Sequence, residues 1–252
     1  MRRVAPLRLL ALFLCALSLA GCGASVLPTI HSEQERLEAA RHLLDKGDYA
    51  AATELLKTYV MNNGGSADVD QAIYLLGYAQ LKNRAWIEAA GEFERLLRDY
   101  PESDSSAAAR FGLAESQFAQ SRPPEYDQEY THRALDEYQR YLQGFPGHWR
   151  NEEARARVLA CRTRLADKLM RTGELYLKLH RPGPARVYFE KVVAEYADTP
   201  WKPDAEVGVA ICEGREGSPK LAITMLQDIE SRYPGTATAK RALRERKRLE
   251  HH

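Results

Sequence analysis

From residue 33 onward, apolar positions recur in one repeating order: an Ala, an apolar residue four later, another three after that, and an aromatic four further on, usually followed by Pro. Four copies are clear: Ala89, Phe93, Leu96, Tyr100-Pro101; Ala134, Tyr138, Tyr141, Phe145-Pro146; Ala185, Phe189, Val192, Tyr196; and Ala222, Leu226, Ile229, Tyr233-Pro234. A weaker copy runs Ala52, Leu56, Tyr59. Spacings of four and three hold these side chains on one helical face, the small Ala admits a close partner helix, and Pro ends the helix. Each copy is therefore the second helix of a helix-turn-helix unit. The first helices carry a Gly at the corresponding packing position, in Leu76-Gly77, Phe111-Gly112 and Thr172-Gly173.

This spacing resembles the tetratricopeptide repeat, and Gly47-Asp48-Tyr49 and Ala85-Trp86 occupy the turn where that repeat carries Gly-x-Tyr. The fold implied is all-α, a tetratricopeptide-repeat solenoid of about five helix-turn-helix units with a C-terminal capping helix. The units are placed near residues 33–66, 68–102, 105–147, 151–199 and 202–235, and the cap from Ala237 to about Leu249, with the repeat domain spanning 33–250. The cap's charged face, Lys240 to Arg248, reads as a solvated cap rather than a binding stripe. In the third unit the run Ser121 to Tyr130, with Pro123 and Pro124, reads as a solvent-facing loop between its helices. Asn151 to Leu179 reads as one helix shared by units three and four.

The first residues have a different pattern. Arg2, Arg3 and Arg8 precede an apolar run from Leu9 to Ala20 that is too short to span a bilayer comfortably, so residues 1–21 read as an export signal. The run ends in Leu19-Ala20-Gly21-Cys22, which resembles the bacterial lipobox and makes Cys22 the expected lipidation site. Gly23 rather than Asp follows it, which implies sorting to the outer membrane. Each buried acyl methylene contributes about 0.8 kcal/mol, so three chains anchor the protein without an inserted helix. Residues 22–32, with Pro28, read as the lipidated Cys and a tether.

Composition narrows the function. Without Arg2, Arg3 and Arg8, the 36 Lys/Arg become 33 against 35 acids, interleaved along the helices, which disfavours nucleic acid as a partner. No Gly-rich phosphate loop, metal-spaced His pair or nucleophile elbow occurs, so no enzyme, cofactor or metal is expected. His251-His252 reads as a natural terminus or the remnant of an expression tag. Cys161 and Cys212 lie in apolar helical patterns, as buried free thiols or as one bridge.

The lipobox, the repeats, the insertion in the third unit and the run from Arg164-Leu165-Ala166 to Glu174-Leu175-Tyr176 together resemble the BamD (YfiO/ComL) family. So does the turn Tyr196-Ala197-Asp198-Thr199-Pro200. The resemblance implies a lipid-anchored protein of the outer membrane, facing the periplasm and taking part in insertion and folding of outer-membrane proteins. Its implied partners are a BamA-like barrel protein, docked on the C-terminal repeats, and other Bam lipoproteins. The resemblance also implies that the N-terminal repeats receive unfolded β-barrel clients. The alternative is a periplasmic repeat lipoprotein that recruits cell-wall or division proteins.

Repeat arrays expose a concave surface made by their first helices. Opposite Gly77, the residues Gln71, Tyr74, Tyr78 and Lys82 lie at near-helical spacing. Two tyrosines at i and i+4 can stack on the terminal aromatic of a barrel strand while Lys82 or Arg41 meets its carboxylate. The competing reading makes both tyrosines half-buried packing between units.

Overall fold

The computed structural model describes residues 32–251. The signal, Cys22, the tether up to residue 31 and His252 lie outside them. Eleven helices and no strand are present among the described residues. They are α1 (Glu33–Asp45), α2 (Tyr49–Asn62), α3 (Val69–Lys82), α4 (Trp86–Asp99), α5 (Ser106–Gln120), α6 (Glu129–Gly144), α7 (Asn151–Lys178), α8 (Pro182–Glu195), α9 (Lys202–Arg215), α10 (Pro219–Arg232) and α11 (Ala237–Glu250). Consecutive helices pack antiparallel in pairs, α1 with α2 through α9 with α10, and α11 closes against α10. This is the all-α repeat solenoid that the spacing predicts.

The repeating residues account for the packing. Ala52, Ala89, Ala134, Ala185 and Ala222 have no exposed surface, and Phe93, Tyr138, Phe189 and Leu226 are equally buried. The aromatic that closes each copy is the helix C-cap, as at Tyr100, Phe145, Tyr196 and Tyr233. Glycine makes room for the large rings. A Cβ at Gly77 would lie 2.8 Å from the Phe93 ring and one at Gly112 2.5 Å from it, so α3 and α5 clasp that ring from two sides. Gly173 and Gly208 hold Phe189 in the same way, at 2.7 Å each.

The turn inside each unit repeats as well. Gly47, Arg84, His180 and Gly217 all take positive φ (77°, 63°, 56° and 100°), each one residue before the N-cap of the second helix. A left-handed conformation costs an L residue about 1–2 kcal/mol, and two of the four turns use non-glycine residues. Arg84 and His180 are exposed, so little contact is lost on replacing them. Arg84→Gly and His180→Gly should each raise stability by about 0.5–1 kcal/mol in urea denaturation; no gain at either site would show that the turn carries no strain.

The third unit departs from the period. Its loop ends earlier than expected, because α6 starts at Glu129 and includes Tyr130. Buried Gln128 sets that boundary: its amide nitrogen donates to the carbonyls of Arg122, Pro123, Tyr126 and Asp127 at 2.9–3.2 Å, and its oxygen accepts from the Thr131 hydroxyl at 2.8 Å. The loop is also less free than a solvent-facing segment. Lys168 of α7 donates to the carbonyls of Pro124 and Tyr126 at 3.4 and 2.7 Å, and Arg171 pairs with Glu125. Residues 122, 123 and 125–127 remain exposed around these ties.

Helix α7 runs for 28 residues, with its first half packed on α6 and its second on α8. Ala, Leu, Arg and Glu dominate it and no Pro interrupts it, so local propensity favours continuity. Arg150 at its N-cap and Arg157, Arg164 and Arg171 follow a spacing of seven, opposite Phe111 and Phe118 of α5 at the same spacing. The Arg150 guanidinium sits 3.5 Å from the Phe111 ring centroid, and those of Arg157 and Arg164 lie 5.4 and 5.1 Å from that of Phe118. Arg162 ties the far end of α8 to α7, donating to both oxygens of Asp198 (2.7–3.0 Å) and to the Glu195 carbonyl (2.5 Å). These bonds hold the Asp198 carboxyl below its usual range.

Cys161 and Cys212 are buried free thiols in separate core clusters. Burial pushes them up to about 12 and about 11, so neither is a reactive thiolate.

Candidate functional site

The five residues singled out on the concave side come from α1 and α3. Arg41, Gln71, Tyr74 and Tyr78 line one open hollow of about 370 Å³, together with Leu44, Asp45 and Leu75. Lys82 stands at its edge, its ammonium 5.4 Å from the Tyr78 ring centroid. The helical register explains the grouping: residues 71, 74, 78 and 82 are three or four apart, so α3 presents them as one stripe beside the outer face of α1.

The two tyrosines are not equivalent. Tyr74 packs on the core, with its ring 6.1 Å from Phe93 and 6.3 Å from Tyr78. Burial pushes its phenol up, Tyr78 adds to the shift and Arg150 opposes it, so Tyr74 stays a neutral donor. Tyr78 meets Tyr49 edge-on at 6.5 Å and is half-buried. Packing and access thus both apply, Tyr74 leaning to the first and Tyr78 to the second.

Charge is arranged unevenly around the hollow. The Arg41 guanidinium donates to the neutral Gln71 oxygen at 2.6 Å and has no ion pair among the described residues. Spacing along α3 does not find Asp45, although it lies four residues after Arg41 on α1. Nor does it find Arg150 at the start of α7, whose charge acts on the Tyr74 phenol and which holds Glu153 at 2.9 Å, keeping that carboxyl below its usual range. The neighbouring Trp149 is 81% exposed.

Among the described residues, no three His, Cys, Asp or Glu side chains cluster as a metal site, and no helix is long and apolar enough to cross a membrane. A helical repeat array with a shallow aromatic hollow defines the class: a tetratricopeptide-repeat scaffold that works by binding.

The chain belongs to the YfiO family of outer-membrane lipoproteins, whose model matches residues 31–211. A relative from Caulobacter vibrioides, the outer membrane protein assembly factor BamD, is 27% identical over 205 residues, covering 79% of this chain and 67% of its own length. Among solved structures, a TPR repeats protein from Bacteroides fragilis NCTC 9343 is similar over 88% of this chain and 99% of its own, at 13% identity and a TM-score of 0.48. A tetratricopeptide repeat protein from Parabacteroides merdae ATCC 43184 is similar over 87% and 72%, at 19% identity and a TM-score of 0.38. The protein is thus an outer-membrane lipoprotein, of a family that is a scaffold family and not one of enzymes.

Proposed function

We propose that this protein is a scaffold of the β-barrel assembly (Bam) machinery that receives unfolded outer-membrane proteins in the α1–α3 hollow and docks through its C-terminal repeats on a BamA-like barrel protein. Other Bam lipoproteins complete the assembly. Cys22 carries the lipid that holds it to the membrane.

The observation that carries this reading is the Arg41 guanidinium, which has only a neutral partner and stands beside a tyrosine pair in an open hollow. A barrel strand that ends in an aromatic residue and a free carboxylate supplies the two missing complements, a ring for Tyr78 and an anion for Arg41. Lys82 and Arg150 extend the positive edge along which the rest of the strand lies.

A fluorescent peptide ending in Phe with a free carboxylate should bind the purified protein, and Arg41→Ala should weaken it about tenfold. Amidating the peptide should cost as much. Tyr78→Ala should weaken binding at an almost unchanged melting temperature, whereas Tyr74→Ala should also lower stability because its ring packs on Phe93. Equal binding of the acid and amide peptides would remove Arg41 from the role and the hollow with it.

A further inference from the structure

Helix α11 has one face packed on the array and one turned to solvent. Its buried side, Thr238, Ala239 and Ala242, packs on the repeat array. On the opposite side stand Lys240, Arg244, Lys247 and Arg248, all exposed. At 100° per residue these four fall within a sector of about 100°. No acid falls within the sector itself: Glu250 pairs with Arg246 at 2.7 Å, and Glu245 stands on the flank, where it lines a small hollow with Arg248 and Arg215.

Among the described residues, none of the four side chains has an ion pair or hydrogen bond. Other exposed arginines of the array do, for example Arg133 with Glu129, Arg155 with Glu152 and Arg171 with Glu125. Helix stability accounts for only half of the pattern. Lys247 and Arg248 sit in the last turn, where cations suit the helix dipole, but Lys240 lies in the first turn, where a cation opposes it. A cap kept polar for solubility needs charge without needing a single sign. Helix α11 also lies beyond the segment, residues 31–211, that the family model matches.

We propose that this stripe rests on the anionic phospholipid headgroups of the membrane to which the lipid anchor holds the protein. The sector offers four flexible cations and, besides them, only the small Ala237 and the terminal His251, with no large apolar side chain. A protein partner seats an apolar core within its interface and single-stranded nucleic acid stacks on aromatics, whereas a fluid sheet of phosphates needs neither. Each Lys or Arg near such a surface favours the bound state roughly fivefold, so four together favour it by several hundredfold. The lipid already confines the chain to the surface, so this preference acts on orientation: it draws the α11 end of the array onto the bilayer. The inference is independent of the client-strand reading.

The test uses the full lipidated protein carrying Gln227→Cys on the adjacent α10, labelled with a donor dye; the buried Cys161 and Cys212 thiols are protected from the reagent. The protein is reconstituted into vesicles of phosphatidylcholine alone or with phosphatidylglycerol, each containing rhodamine-headgroup acceptors. Energy transfer should be at least twofold higher in the anionic vesicles and should fall to the neutral level in 1 M salt. It should fall likewise in the K240E/R244E/K247E/R248E variant, while Lys240→Arg with Lys247→Arg retains it. An unchanged melting temperature establishes that the charge-reversed variant is folded, and flotation of the labelled protein separately reports whether the lipid anchor is in place. Equal transfer in the two lipid compositions would overturn the proposal. So would a variant that keeps its transfer but loses a copurifying acidic protein, which would make the stripe a protein-docking face.

Discussion

Gly112→Ala should destabilise the protein by about 3 kcal/mol, the upper range for overpacking a core, although it adds one methyl group. The added Cβ would lie 2.5 Å from the Phe93 ring. A flexible side chain could swing away, but this ring has nowhere to go: moving off Gly112 drives it towards Gly77, whose own Cβ position is 2.8 Å from it. Phe93→Ala should cost about 3–5 kcal/mol through the cavity it leaves. Combining Gly112→Ala with Phe93→Leu should cost at least 1 kcal/mol less than the sum of the two single changes, since the smaller side chain vacates the space the methyl needs. Urea denaturation of the four proteins measures the coupling. Strict additivity would mean that the glycines are not there to admit the ring. Gly208→Ala against Phe189 should behave in the same way, because that ring is held between Gly173 and Gly208.

The largest functional effect is expected at Cys22. Cys22→Ala should abolish incorporation of labelled palmitate and remove the protein from the outer-membrane fraction, because about 0.8 kcal/mol per methylene over three acyl chains has no substitute in the helical array. No helix among the described residues is long and apolar enough to cross a membrane. Retention of Cys22→Ala in washed outer membranes would mean that a protein partner, rather than the lipid, is the main attachment.

The repeat units are legible in the sequence because each rests on spacings within a single helix. An Ala, a ring four residues on and a further apolar residue three later state both the buried face and the close approach. The tyrosine stripe of α3 is legible for the same reason, and Arg41 by its charge. The rest depends on residues that only the folded array brings together. Gly208 stands between two valines with no large residue to mark it, yet it faces Phe189 as Gly173 does. Arg150 lies 39 positions from Phe111 in the chain, and nothing local to either predicts a 3.5 Å stack. The early start of α6 turns on Gln128, a residue type with weak capping preference that here gathers four carbonyls of its own loop. The basic sector of α11 is visible as a charge run, but that Glu250 is taken up by Arg246 and leaves the four cations without an ion pair among the described residues emerges only in the folded array.

Helix α7 has a mechanical consequence. At 1.5 Å per residue its 28 residues form a rod of about 42 Å that belongs to both halves of the array. Consecutive helices are joined by turns, which can flex by small changes in a few dihedrals; where α7 passes from one core cluster to the next the backbone hydrogen-bond ladder runs straight through, clamped at one end by Arg150 on Phe111 and farther along by Arg162 on Asp198. The rod therefore acts as a ruler. It sets a fixed offset between whatever is held beside α3 and whatever is held beside α9 and α10, so a client and a partner bound at the two ends meet at a distance decided by the length of one helix.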